Sequence, residues 1–156
     1  MQLGADVPFF LNPQPSEVRG VGEKITALRN YPSLYLLVIK PSVSIPTASA
    51  YRNCRPRPMT ATIGPLTTIS EVIQNLHNQF EETVFEDFPQ LEQIRNILSE
   101  YGVLGALVSG SGSAIFGIFA TRKLQKKAAE QLYDQNIGQI FTCQTLSTHS
   151  YYLRKK

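Results

Sequence analysis

An apolar stretch without a charged residue, VLGALVSGSGSAIFGIFA, runs from Val103 to Ala120. The polar run 109–113 divides it into flanks of six and seven residues. Each flank has the length of a buried β-strand, and glycines between two such flanks favour a tight turn. The stretch is also long enough for a membrane span, but Gly and Ser would then occupy the bilayer centre. The pattern therefore predicts a buried hairpin closed by a glycine loop.

Three helices are predicted from apolar positions that recur every three or four residues. One apolar stripe predicts a helix over 69–84. The second helix spans 89–101, with a proline in its first turn and Gly102 where a C-cap glycine belongs. The third follows the capping residue Thr121 and ends near residue 133. Its inward-facing positions are Leu124, Ala128 and Leu132.

Two further strands frame these elements. LYLLVIK (34–40) is an apolar run ended by Pro41, and QIFTCQT (139–145) is rich in β-forming residues. The order is a strand, helices, two hairpin strands, a helix and a last strand. This order predicts an α+β, ferredoxin-like fold, a four-stranded antiparallel sheet with helices on one face.

The first thirty residues do not fit this unit. They contain a short apolar turn, a proline-rich bend and two brief strand-like pieces. We predict that 1–30 is the end of another domain, and that the ferredoxin-like unit occupies 31–156. The proline-containing segment 52–65 is predicted to be a surface loop.

Composition and charge narrow the classes of function. The chain has 156 residues, of which 42% are hydrophobic and 17% charged, the balance of a globular domain. A net charge of +3 suits an anionic small molecule and does not call for nucleic acid or a membrane surface. Cys54 and Cys143 match no metal-ligand spacing, and no secretory segment opens the chain. We therefore expect a reduced, cytosol-like compartment, with no metal site and no nucleic-acid or membrane partner.

The glycine loop matches neither of the two familiar phosphate-binding motifs. A Walker loop ends in Lys followed by Ser or Thr, and the segment 111–114 contains no lysine. A dinucleotide fingerprint needs a third glycine, and Ile115 stands in its place. Two interpretations stay open: backbone N–H groups that form an anion-binding concavity, or a plain hairpin turn without a ligand.

Three segments carry a family resemblance: LGADVPFF, IKPSVSIPTASAY and GALVSGSGSAIFGIF. In this order they resemble the kinase superfamily of galactokinase, homoserine kinase, mevalonate kinase and phosphomevalonate kinase. Within that superfamily the sequence is most similar to the kinases that phosphorylate a diphosphocytidyl sugar alcohol. The resemblance covers nearly the whole chain.

The resemblance implies a reaction and a set of site residues. The reaction is transfer of the γ-phosphoryl group of ATP, accompanied by Mg²⁺, to a hydroxyl of the diphosphocytidyl sugar alcohol. It belongs to the non-mevalonate isoprenoid (terpenoid) pathway. Matching the family's motifs makes Asp6 the expected catalytic residue. The expected phosphate loop is Ser109, Gly110, Ser111 and Gly112, and the expected substrate-binding residues are Thr47 and Tyr51.

Each of these roles has a competing structural explanation. An acidic residue such as Asp6 is also favoured at a helix N-terminus by the helix dipole. A tyrosine such as Tyr51 is also common at an amphipathic position of the core. For the whole chain, the alternatives are a non-catalytic ferredoxin-like ligand-binding module and a related sugar or mevalonate-type kinase.

The resemblance also implies a domain division and a location. Residues 1–30 would be the end of the N-terminal kinase domain, carrying the catalytic aspartate, and 31–156 the C-terminal domain. The superfamily's main glycine-rich ATP loop precedes that aspartate, and this sequence does not contain it. We therefore expect a truncated form that is inactive alone. The implied compartment is the bacterial cytoplasm or the plastid stroma.

Overall fold

The computed structural model describes residues 7–11, 14–56, 64 and 66–146. In chain order the described elements are α1 (Val7–Leu11), β1 (Ser16–Arg19), β2 (Lys24–Ala27), β3 (Tyr35–Lys40), α2 (Thr47–Asn53), α3 (Ile69–Gln74), α4 (Glu81–Asp87), α5 (Pro89–Glu100), β4 (Gly105–Val108), β5 (Ile115–Phe119), α6 (Arg122–Leu132), a 3-10 turn (Tyr133–Gln135) and β6 (Gln139–Gln144).

The central sheet has the strand order β4-β5-β3-β6, and all of its neighbouring strands are antiparallel. Leu37 of β3 lies opposite Gly117 of β5 on one side and Thr142 of β6 on the other. β1 and β2 form a separate antiparallel pair. The predicted α+β, ferredoxin-like fold is confirmed.

The uncharged stretch forms the predicted hairpin. β4 and β5 pair with Val108 opposite Ile115, and both of these residues are buried. None of the helices among the described residues is both long enough and apolar enough to cross a membrane. The segment that has the length of a membrane span is therefore two strands of the sheet.

Helices cover both faces of the sheet. A Cβ added to Gly117 would lie 2.7 Å from Val103 and 3.4 Å from Leu98 of α5. A Cβ added to Gly105 would instead lie 2.7 Å from Leu76 and 3.1 Å from Ile73 of α3. Register places Gly117 and Gly105 on opposite faces, because Gly105 pairs with Ile118 and side chains alternate along a strand. The long helix α5 thus covers one face as predicted, but the expectation that helices lie on one face only is wrong, because the short helix α3 covers the other face.

The predicted single helix over 69–84 is interrupted. α3 starts at a capping box in which the Thr68 side chain accepts from the Glu71 amide. In return, the Glu71 carboxylate accepts from the backbone amides of Thr67 and Thr68, and these hydrogen bonds lower the pKa of Glu71. The helix ends where the Asn75 side chain donates to the Glu71 carbonyl at 2.8 Å. The next helix starts at Glu81. Apolar spacing continues across the break although the two helices pack in different clusters, α3 with Leu34 and Ile118 on one face of the sheet and α4 with Leu37 and Ile39 on the other.

One predicted inward position on α6 is wrong. The Thr121 cap is confirmed, since its hydroxyl accepts from the Leu124 amide at 3.2 Å. The Leu124 side chain is 42% exposed, whereas Gln125 is 2% exposed. Gln125 donates to the carbonyl oxygens of Leu36 and Cys143, at 2.6 and 2.7 Å. A buried amide is stable here because strand carbonyls accept both of its hydrogen bonds.

The close approach of α5 to β5 gives a stability prediction. Gly117→Ala is expected to lower the free energy of unfolding by about 1–3 kcal/mol, the usual effect of overpacking, because its new methyl group would meet Val103 and Leu98. Urea denaturation followed by circular dichroism measures the change. Gly64→Ala is the matched control, since a Cβ there meets nothing within 4 Å. Equal stabilities of the two variants would contradict this packing.

Candidate functional site

The glycine loop lies between β4 and β5, where the sequence places it. Gly110 and Gly112 have φ angles of +56° and +85°, a region that favours glycine over residues with a Cβ. The Gly112 amide donates to the Ser109 carbonyl at 3.0 Å, and the Ser109 amide donates to the Ala114 carbonyl at 2.8 Å. Among the described residues the amides of Gly110 and Ser111 find no acceptor. The loop therefore presents two adjacent N–H groups that are available to a ligand.

A polar pair from the α3–α4 region holds one side of the loop. The Asn78 side-chain amide donates to the carbonyl oxygens of Val108 and Gly110, each at 2.8 Å. Glu81 Oε1 accepts from the Val108 amide at 3.0 Å, and its other oxygen lies 3.8 Å from Arg95. Asn78 therefore holds the Gly110 carbonyl, and the amides of Gly110 and Ser111 remain without an acceptor among the described residues.

A lysine and a buried serine hold the other side. Ser113, directly after the glycine loop, is 2% exposed. Its hydroxyl accepts from Lys40 Nζ at 2.9 Å and donates to the Val43 carbonyl. Lys40 Nζ also donates to the carbonyls of Pro41 and Val43, at 3.0 and 3.3 Å. These hydrogen bonds therefore connect the end of β3 to the residue that follows the glycine loop.

The predicted substrate-binding residues lie one turn apart on α2. Thr47 is the first residue of this helix and Tyr51 the fifth, so both occupy the same face. The Tyr51 side chain is 67% exposed and makes an edge contact with Phe80, with ring centroids 4.9 Å apart and planes at 74°. This exposure rules out a core tyrosine at position 51.

A small cleft of about 380 Å³ lies between α2 and α4, and neither the glycine loop nor Thr47 nor Tyr51 is among its lining residues. A Cβ added to Gly112 would lie 2.9 Å from Ile45 and 3.8 Å from Val84, and both of these residues line the cleft. Across it the Asn53 amide donates to Asp87 at 3.0 Å. The end of the predicted phosphate loop therefore lies close to the segment that leads into α2, whereas the cleft itself is lined by Ser49 and Asn53 of that helix and not by its predicted site residues.

Asp6 lies outside the described residues, and α1 begins at the next position, Val7. A larger cleft of about 650 Å³ lies elsewhere, and none of the predicted site residues that the structure describes lines it. Tyr31 lines it, and desolvation raises the pKa of this phenol. The lining residues are Phe9, Phe10, Gln14, Pro15, Ser16, Leu28, Tyr31, Leu66, Thr145 and Leu146.

Sequence reasoning missed the residues that hold the loop. No role is predicted there for Glu81, whose carboxylate accepts from the Val108 amide and lies near Arg95. Nor is a role predicted for Asn78 or Lys40. No local pattern marks Asn78, since Leu76 and Phe80 continue the apolar stripe across it. No local pattern marks Lys40, since its partner Ser113 is 73 residues away.

Comparison with known sequences identifies similar proteins over most of the chain. Residues 61–138, half of the chain, match the sequence family described as GHMP kinases C terminal. A protein of Citrifermentans bemidjiense named 4-diphosphocytidyl-2-C-methyl-D-erythritol kinase is 35% identical over 135 residues, which cover 85% of this chain and 48% of that protein. A protein of the same name from Syntrophotalea carbinolica is 33% identical over 153 residues, 94% of this chain and 54% of that protein. The chain thus spans about half the length of these relatives.

Solved structures agree with this comparison. The crystal structure of a 4-(cytidine 5'-diphospho)-2C-methyl-D-erythritol kinase matches with a TM-score of 0.77 and 34% identity, over 92% of this chain and 54% of that one. A homoserine kinase from Cytophaga hutchinsonii matches with a TM-score of 0.59 and 17% identity, over 85% of this chain and 47% of that one. The second match shows a shared fold and nothing more.

Proposed function

The chain belongs to the GHMP kinase family, and we propose that it serves ATP-dependent phosphorylation of 4-diphosphocytidyl-2-C-methyl-D-erythritol in the non-mevalonate isoprenoid pathway. The observation that carries this proposal is structural. A glycine loop with two free N–H groups is held beside a helix that exposes an aromatic ring, in a chain 34% identical to a solved kinase for that substrate.

The loop suits a phosphate group through its backbone. Phosphoryl transfer depends mainly on positioning and on stabilisation of charge, and adjacent backbone N–H groups supply both without a charged side chain. Gly110 and Ser111 offer those N–H groups, and Gly110 has no Cβ to keep an anion at a distance. The Ser111 hydroxyl adds a further donor. We therefore assign 109–112 to the phosphates of ATP.

Helix α2 suits the cytidyl part of the acceptor. Tyr51 is exposed, and its edge contact with Phe80 fixes the ring while leaving most of its surface open. An aromatic ring held in this way can stack on a pyrimidine base. Thr47, exposed one turn before it, can hydrogen-bond to the same ligand. These two residues are assigned to substrate binding.

The remaining roles rest on the family resemblance. Asp6 is proposed to orient the acceptor hydroxyl and to take its proton. Mg²⁺ is expected to accompany ATP. Among the described residues no group of three or more His, Cys, Asp or Glu side chains is placed to hold a metal ion. No described residue is therefore assigned to Mg²⁺, and no step of this proposal depends on one.

Tyr51→Ala tests the substrate assignment. Stacking of a base on an aromatic side chain contributes about 1–3 kcal/mol, so this variant is expected to bind cytidine 5'-diphosphate about ten-fold more weakly. Affinity for ATP should change little. Isothermal titration calorimetry with each nucleotide, with and without Mg²⁺, measures both affinities.

Tyr133→Ala is the matched control, because Tyr133 is a comparably exposed tyrosine, at 79%, on the 3-10 turn after α6. Its affinities should equal those of the wild type. Cytidine nucleotides that bind Tyr51→Ala as tightly as they bind the wild type would remove Tyr51 from the site. If the wild-type chain binds no cytidine nucleotide, the substrate assignment is wrong and a different acceptor within the family becomes the better hypothesis.

A further inference from the structure

The Lys40 ammonium group, on an exposed residue, has three hydrogen-bond acceptors in this chain. They are the carbonyl oxygens of Pro41 and Val43 and the hydroxyl of Ser113, at 3.0, 3.3 and 2.9 Å. Among the described residues no carboxylate forms an ion pair with this lysine. An ammonium group has three donors and no more, so Lys40 has none left for a phosphate oxygen.

Ser113 connects Lys40 to the segment of the chain that leads into α2. Its hydroxyl accepts from Lys40 and donates to the Val43 carbonyl, and the residue is almost fully buried. A buried hydroxyl with both a donor and an acceptor has a fixed orientation. Lys40 and Ser113 together therefore fix the position of Val43 relative to the residue that follows Gly112.

Two further contacts join the same parts of the molecule. Ile45, two residues after Val43, occupies the space where a Cβ on Gly112 would lie. On the far side of the loop, Asn78 bonds to Gly110 and accepts from the Phe80 amide at 3.0 Å, and Phe80 contacts Tyr51. The loop and α2 are thus linked along two routes, and only the route through Lys40 contains a charged group.

We propose that Lys40 is a positioning residue that sets the spacing between the glycine loop (109–112) and helix α2. It acts through Ser113 and Val43 and does not touch a ligand. Only the purpose of this spacing rests on the proposed function. That purpose is to hold the phosphates and the cytidyl group at the separation that phosphoryl transfer requires. The mechanical coupling itself is a property of this chain and is testable without a ligand.

Amide hydrogen exchange of the full chain tests the coupling directly. The reporters for the loop are the bonded amides of Ser109 and Gly112, and those for α2 are the amides of Ser49 and Ala50, which donate to the Pro46 carbonyl. Lys40→Met is expected to speed exchange in both groups by about ten-fold, the scale of losing a hydrogen bond to a charged group. Ser113→Ala is expected to act on the same two groups, and it decides the question if Lys40→Met does not fold.

Two further variants separate positioning from general destabilisation. Lys40→Arg keeps a cation with several donors and should restore slow exchange at both reporters to within about three-fold. Lys123→Met removes an exposed lysine from α6 and should change neither. Amides of β3 and β5 should remain as protected as in the wild type in every folded variant.

Three outcomes would overturn the proposal. They are an effect on the loop without α2, no effect on either, and faster exchange throughout the sheet, which indicates a merely structural role. Titration of the same proteins with cytidine 5'-diphosphate and with ATP tests the proposed function separately. If neither nucleotide binds the wild type, the proposed function fails while the exchange data still decide the coupling.

Discussion

A Phe119→Ala variant is expected to lose about 3–5 kcal/mol of unfolding free energy, the range for truncating a fully buried phenylalanine. Phe119 is 0% exposed, and it packs in the core between the sheet, α5 and α6. It ends β5, opposite Tyr35 of β3. Domains of this size have total stabilities of about 5–15 kcal/mol, so this one substitution removes a large part of the total. Urea denaturation monitored by circular dichroism gives the value.

The destabilisation caused by Phe119→Ala should extend to the glycine loop, because β5 is one of the two strands that the loop connects. Leu124→Ala is the matched control. Leu124 is 42% exposed on α6, and exposed substitutions usually change stability by no more than about 0.5 kcal/mol. A Phe119→Ala protein as stable as Leu124→Ala would mean that β5 does not pack as described.

The strands and their order follow from the sequence because the relevant signals are local. The apolar flanks of the hairpin are short and uncharged, the run at 35–40 carries its single charge at Lys40 directly before Pro41, and the structure forms strands there. Strand order then follows from a small set of allowed connections. The ferredoxin-like sheet is therefore predictable without any long-range information.

The break between α3 and α4 is not predictable in this way. Apolar periodicity reports which side of the chain faces the core, and it continues through 75–80 because that segment also packs inward. α3 ends at Asn75, whose backbone amide and side-chain amide both donate to the Glu71 carbonyl, and the Asn78 side chain then donates to the carbonyls of Val108 and Gly110. The partners of Asn78 lie 30 and 32 residues away.

The candidate site, too, is only partly predictable from the sequence. The family motifs point to the loop and to α2, and the structure places Gly112 of the loop against Ile45, two residues before α2 begins. The residues that hold the loop in place carry no motif, because Lys40 meets Ser113 only after β3 and β5 have paired. Supporting contacts of this kind depend on the tertiary fold, so a single sequence does not contain a signal for them.

The second large expected effect is on kcat, and it follows from the proposal that Asp6 is the catalytic residue. Asp6→Asn, assayed in the shortest form of the protein that turns over 4-diphosphocytidyl-2-C-methyl-D-erythritol, is expected to lower kcat by about 10²-fold or more, the scale of a lost general base. Asparagine has nearly the size of aspartate but cannot accept the proton of the acceptor hydroxyl. A coupled assay of phosphoryl transfer measures kcat, and KM for the acceptor should change much less.

The same substitution separates catalysis from the competing explanation of Asp6 as an acid at a helix N-terminus. α1 begins at the next residue, Val7, and asparagine caps a helix about as well as aspartate does. If capping were the only role, Asp6→Asn would keep both its stability and its kcat, whereas Asp6→Ala would lose about 0.5–2 kcal/mol of stability. The catalytic role instead predicts that both variants lose kcat while Asp6→Asn unfolds at the wild-type urea concentration. An Asp6→Asn enzyme with near-normal turnover would therefore assign the residue to the helix and leave the general base to be found elsewhere.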